Sequence, residues 1–134
     1  MAEHVGDNYT NYSWTGGGYG NLIAGDVCKH ELAAVIQNDT VQLMRLPVGT
    51  VLIGFIAVWD ALGANTVIKL STRVGTTITD RVTAIGTVTS AGSAFLAIEP
   101  VTIATESDLI ATQTGAGTGA GTLSVVPLYI NRGN

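Results

Sequence analysis

LPVGTVLIGFIAVWDALGANTVIKLST, residues 46–72, carries a turn, a long apolar strand, a connection and a second strand. The turn is Leu46-Pro47-Val48-Gly49, where proline presets φ and glycine accepts conformations that other residues resist. TVLIGFIAVW follows, rich in β-branched and aromatic residues. Alternation puts Val51, Ile53, Phe55, Ala57 and Trp59 on one face and Leu52, Ile56 and Val58 on the other. With both faces apolar, the strand is expected to be covered on one side by core and on the other by something else. Asp60 to Asn65 reads as a connection. Thr66 to Thr72 reads as a half-buried strand beside the buried one, with Ile68 and Leu70 inward and Lys69 and Ser71 outward.

Outward from this stretch, the whole chain of 134 residues has the size of one domain. Such a chain buries roughly two-thirds of its unfolded surface, enough for a core without covalent staples. Apolar residues make up 46% and charged residues 12%, the latter about half the usual share. So few charges point to a surface partly covered by partners; a neutral Thr/Ser/Gly surface is the plainer alternative. The net charge is −4 and the Lys and Arg residues are scattered singly, so no basic stripe exists to track a phosphate backbone and nucleic acid is not an expected partner. The single Cys28 cannot form an internal disulfide. The N-terminus lacks an apolar core segment of the signal-peptide kind, and the run Val51–Trp59 is too short for a helix to span a bilayer. No membrane is expected, and assembly is expected in the cytoplasm.

Residues 1–20, MAEHVGDNYTNYSWTGGGYG, form a separate segment: polar, glycine-rich and aperiodic, yet holding Tyr9, Tyr12, Trp14 and Tyr19. Disordered tails are poor in aromatics, whereas a docking arm uses them, because each ring buries a large area and keeps a polar tip. We read 1–20 as an N-terminal arm with those four residues as partner-binding anchors, the alternative being an arm folded back on its own domain. Residues 21–134 form the domain. Within it, VCKHELAAVIQ is open to a short helix capped by Asp26 or to a strand. With no other helical stretch, a hairpin turning at Gln37-Asn38-Asp39-Thr40 into TVQLMRL is preferred. Val82 to Ser90 alternates weakly. AFLAIEP follows a turn at Ala91-Gly92-Ser93, with Pro100 expected to end that run. Asp108 to Thr114 and Thr122 to Ile130 read as a closing hairpin, in which Pro127 suggests an edge or a break. Regular turns without helices predict an all-β, single-domain antiparallel sandwich or jelly roll.

Candidate chemistry is sparse. Gly115-Ala-Gly117-Thr-Gly119-Ala-Gly121 lacks the following helix that a dinucleotide fingerprint needs, and a strand follows instead. The glycines are expected at a flexible hairpin tip or in backbone-to-backbone packing at a symmetry axis. Cys28, His30 and Glu31 with the distant His4 are too few for a zinc site. Glu106 and Asp108 flank a turn and read as solvated carboxylates rather than an acid–base pair. No nucleophile and base constellation is present; no catalytic residue, cofactor or metal is assigned, and the chain is not read as an enzyme.

Two segments resemble a known family. LMRLPVGTVLIGFIAVWDALGANTVIKLST and DLIATQTGAGTGAGTLSVVPLYI are similar in turn and strand spacing to small virion structural proteins of tailed bacteriophages, including capsid decoration (cement) proteins. The resemblance covers about half the chain; residues 1–20 have no counterpart, and Pro127 departs from the usual β-branched run. It implies a decoration protein on the outer surface of the phage head, bound to the major capsid protein and to copies of itself, with a trimer favoured over a dimer to match local three-fold positions. The alternative is a receptor- or glycan-binding module of a tail tip or fibre, which would group Trp14 with Asp7 and Asn11.

Overall fold

The computed structural model describes residues 22–25 and 27–131. They form nine strands and no helix: β1 Leu22–Ala24, β2 Cys28–Val35, β3 Thr40–Leu46, β4 Thr50–Trp59, β5 Ile68–Val74, β6 Thr77–Val82, β7 Gly92–Thr102, β8 Ser107–Gln113 and β9 Gly119–Asn131. All pairings are antiparallel. A five-stranded sheet runs β1-β9-β4-β7, with β2 beside β1 on the same flank of β9, and a four-stranded sheet runs β3-β8-β5-β6. The core lies between them, with Phe55, Trp59, Leu123 and Tyr129 from one sheet and Met44, Leu70, Leu109 and Ala111 from the other. The expected all-β sandwich is the observed fold.

The connections differ from expectation. β2 and β3 are both strands and turn at Gln37-Asn38 as read, but they do not pair: β2 joins β9 in one sheet and β3 joins β8 in the other. The expected closing hairpin is also an arch, with β8 in the four-stranded sheet and β9 in the five-stranded one. β4 and β5 belong to different sheets rather than lying side by side. Among the described residues, β5 and β6 alone form a hairpin of consecutive strands, closing at Val74 and Thr77. β1 and β2 follow one another along the same flank of β9, and each remaining connection crosses between layers, as in a jelly roll.

β4 is the central strand, flanked by β7 and β9. Against β9 its register slips by one residue between Leu52 and Gly54. This bulge flips the faces: Leu52 joins Phe55, Ala57 and Trp59 in the core, while Val51 stays outside the core cluster. The predicted face of Val51, Ile53 and Phe55 is therefore corrected by one extra residue. Pro100 does not end its strand; it lies where β7 slips against β4 between the pairs Leu52↔Val101 and Gly54↔Ala97, on an edge strand that tolerates a missing donor. Pro127 is likewise not an edge or a break, because β9 runs unbroken through it between neighbours on both sides. Its carbonyl accepts the Gly25 N–H at 2.9 Å, and in an extended strand N–H and C=O of one residue point to the same side. The donor that proline lacks therefore falls opposite the gap between β1 and β2.

Residues 83–91 are irregular rather than a strand, yet Ile85 and Val88 are buried in the core. The Trp59 indole Nε1–H donates to the carbonyls of Thr87 (3.2 Å) and Ser90 (3.0 Å) and holds this loop. The glycine-rich arch is not a free hairpin tip: it packs on the Ala61–Val67 connection of the same chain. Gly117 N donates to Asn65 O and Ala120 N to Leu62 O. Buried Gln113 ties the two together, its Oε1 accepting the N–H of Val67 and of Gly115 and its Nε2 donating to Gly117 O, each at 2.9 Å.

Candidate interface

The outer faces of the two sheets differ in chemistry, although Ile78 is exposed on the four-stranded one and Lys29 and Glu31 on the five-stranded one. On the four-stranded sheet, Arg45 pairs with Glu106 (2.9 Å) and approaches Asp108 (3.8 Å), and Arg73 pairs with Asp108 (3.1 Å). Lys69 pairs with Asp80 at 3.2 Å, and the Ser71 hydroxyl donates to the same carboxylate. These cross-strand charges solvate the face; Glu106 and Asp108 are brought together around Arg45 as its ion-pair partners.

The Lys69 ammonium, and after it the Ser71 hydroxyl, hold the Asp80 carboxyl below its ordinary 3.8. A lowered folded-state pKa gives stability that is present above the unfolded value and lost as pH falls through the folded one. Asp80 is exposed, so water screens the pair. Asp80→Asn is expected to cost less than about 1 kcal/mol at neutral pH, with the difference from wild type closing as acid protonates the carboxylate. Urea unfolding at pH 7 and pH 3 checks this; an equal deficit at both would assign the effect to something other than charge.

The five-stranded sheet is different. β4 and β9 present Gly54, Ile56 and Val58 and Thr122, Ser124 and Val126 outward, alternating with core residues. On β7, Ala94, Leu96 and Ile98 pack inward, which turns Ser93, Phe95 and Ala97 out. The register aligns Val126, Ile56 and Phe95 in one row across three strands, with Ser124, Val58 and Ser93 in the next. Phe95 is 65% exposed, Val58 50% and Ile56 38%. A depression of about 250 Å³ adjoins the row, lined by Lys29, Val58, Trp59, Asp60, Thr122 and Ser124. Its mixed lining suits a side chain with an apolar body and a polar tip.

The second apolar face anticipated for β4 is thus real for Ile56 and Val58. Phe95 was not singled out, although the alternation of AFLAIEP carries the signal. The anchors Tyr9, Tyr12, Trp14 and Tyr19, with Asp7 and Asn11, lie outside the described residues. His30 and Glu31 are exposed on β2, and Cys28 is buried. Among the described residues, no group of three or more His, Cys, Asp and Glu side chains gathers as a metal site, and no helix is long and apolar enough to cross a membrane.

No protein-family model matches the chain, and no curated protein matches it. Solved structures do. A chain in the capsid of Ralstonia phage GP4 is similar at a TM-score of 0.65 and 19% identity, over 84% of this chain and 86% of that one. A chain of the cyanophage Pam1 capsid asymmetric unit is similar at 0.59 and 23%, over 84% and 86%. A chain of infectious bursal disease virus, Gx strain, is similar at 0.54 and 12%, over 84% of this chain and 32% of that one. At such identities the likeness is one of fold: this chain has a β-sandwich that also occurs, at nearly full chain length, in the capsids of two phages.

Proposed function

We propose that this chain is a structural, non-enzymatic protein of a phage virion, and specifically a decoration protein on the outside of the head. The observation that carries the reading is the fold likeness to chains in two phage capsid structures over most of both chains. The partners are the major capsid protein and other copies of this chain, as a trimer in preference to a dimer. Residues 1–20 act as an arm and 21–134 as the sandwich domain, with Tyr9, Tyr12, Trp14 and Tyr19 anchoring the arm on a neighbouring subunit.

The mechanism is mass action. A subunit that binds only assembled shell stabilises it by its binding free energy, and contacts repeated over a lattice add through effective concentration. Burying one aromatic anchor contributes on the order of 2 kcal/mol at an interface hot spot. Labelled protein imaged on virions is expected to coat heads all over. Label confined to tails would overturn the decoration reading in favour of a receptor- or glycan-binding tail module. A chain lacking residues 2–19 is expected to melt like the full chain and to bind heads poorly. Unfolding on truncation would make the arm part of its own core, and undiminished binding would remove its docking role.

A further inference from the structure

We propose that the row Val126–Ile56–Phe95, with Val58 and the adjoining depression, is the seat for residues 9–14 of a second copy of this chain. The inference rests on the arm-docking part of the reading above, not on the capsid. Three observations select the occupant. First, the two outer faces differ: ion pairs run across the four-stranded sheet with Ile78 exposed among them, whereas Phe95, Val58 and Ile56 form a contiguous apolar row on the five-stranded one, bordered by Lys29 and Glu31 on β2. Second, Asn8-Tyr9-Thr10-Asn11-Tyr12-Ser13-Trp14 concentrates three rings in a short segment, and residues 1–20 hold Glu3 and Asp7 but no Lys or Arg. The rings complement the apolar row; the depression beside it carries both Lys29 and Asp60, so the match is apolar and polar-tip rather than one of net charge. A tyrosine or tryptophan there buries its ring on Val58 and keeps its polar atom beside Thr122, Ser124 and Lys29.

Third, the chain enters the sheet pointing away from its own row. Going back from Ala24 to Leu22, β1 moves from Leu128 to Ile130 along β9, away from Val126. Seating the arm on its own row requires a reversal and a return of about 13 Å or more. A second copy can receive it without that reversal, provided its row lies within the roughly 26 Å that the eight residues from Leu22 back to Trp14 span when extended. Each arm seated on the next copy is a head-to-tail contact, which closes into a ring when the rotation permits.

Complementation in solution, without capsids, tests this. One full-length variant carries Val58→Ser and Phe95→Ser; the other carries Tyr9→Ser, Tyr12→Ser and Trp14→Ser. Sedimentation of each alone is expected to show association weakened about tenfold or more relative to wild type. An equal mixture is expected to recover a mixed dimer, since the first supplies an intact arm and the second an intact row. Wild-type association in either variant alone, or no recovery on mixing, overturns the proposal. A wild type that stays monomeric at about 100 μM, ten times above a modest 10 μM Kd, overturns it as well. If a variant fails to fold, wild-type fluorescence decides: Trp59 is buried already, so a blue shift with rising concentration reports Trp14 and its absence counts against the seat. Failure here leaves the imaging of labelled virions unaffected, and tail-only labelling leaves the arm seat standing.

Discussion

Phe55→Ala is expected to destabilise the domain by about 3–5 kcal/mol, the range for truncating a fully buried aromatic. Phe55 is fully buried on the central strand, opposite Pro127 on β9 and Leu96 on β7. Hydrogen-bonded neighbours on both sides restrain the backbone, so the cavity cannot collapse cheaply. For a domain of this size the melting temperature should fall by about 10–20 °C. Calorimetry on the full chain reads this directly. A melting temperature within about 2 °C of wild type would remove β4 as the centre of the core. The next residue is the control: Ile56 points outward, so Ile56→Ala should cost much less, although one position separates the two.

The second large effect is expected at Gly117. A methyl group built there overlaps the carbonyl oxygen of Ala64 and crowds Asn65. Both obstacles are backbone, so no rotamer change relieves them, and either the arch or the connection beneath it must move. Overpacking of this kind costs about 1–3 kcal/mol and occasionally more. Gly117→Ala should reach the upper end, because displacement also strains the Gly117 N–Asn65 O and Gln113 Nε2–Gly117 O hydrogen bonds. Gly75→Ala separates space from conformation. Gly75 has φ of 61° with no other atom within 4 Å of the added methyl, so that change carries only the left-handed penalty of about 1–2 kcal/mol. Unfolding of the two variants in denaturant compares them. An equal or smaller loss at Gly117 would contradict tight packing of the arch on Ala64 and Asn65.

Several features were legible because they depend on neighbours in sequence. β-branched runs, Pro-Gly and Asn-Asp turns and the scarcity of charge are local, and they suffice for an all-β chain of short strands. The burial of Phe55 and Trp59 follows from the same pattern. A turn, however, announces only that the chain reverses. Asn38 and Gly115–Gly117 give the same local signal whether the strands they join pair or face each other across the core. Which occurs is settled by the long-range partners, β9 for β2 and β3 for β8.

The interface followed the same division. Alternation placed Ile56 and Val58 together on the face opposite Phe55 and Trp59, since period two is a property of one strand. The alignment of Ile56 with Phe95 on β7 and Val126 on β9 exists only once three distant strands are in register. The one-residue slip after Leu52, which sets that register, has no local marker beyond Gly54. Gln113 is the sharpest case: a polar residue near a glycine run reads as solvent-exposed, yet it is buried and satisfied by three backbone groups of two separate loops. By itself the sequence determined the all-β character, the burial of Phe55 and Trp59 and the scarcity of charge, because these arise from composition, short-range sterics and hydrophobicity. The tertiary structure alone decided which strands pair, which turns are arches and where the exposed apolar row lies, because each depends on contacts between residues far apart in the chain.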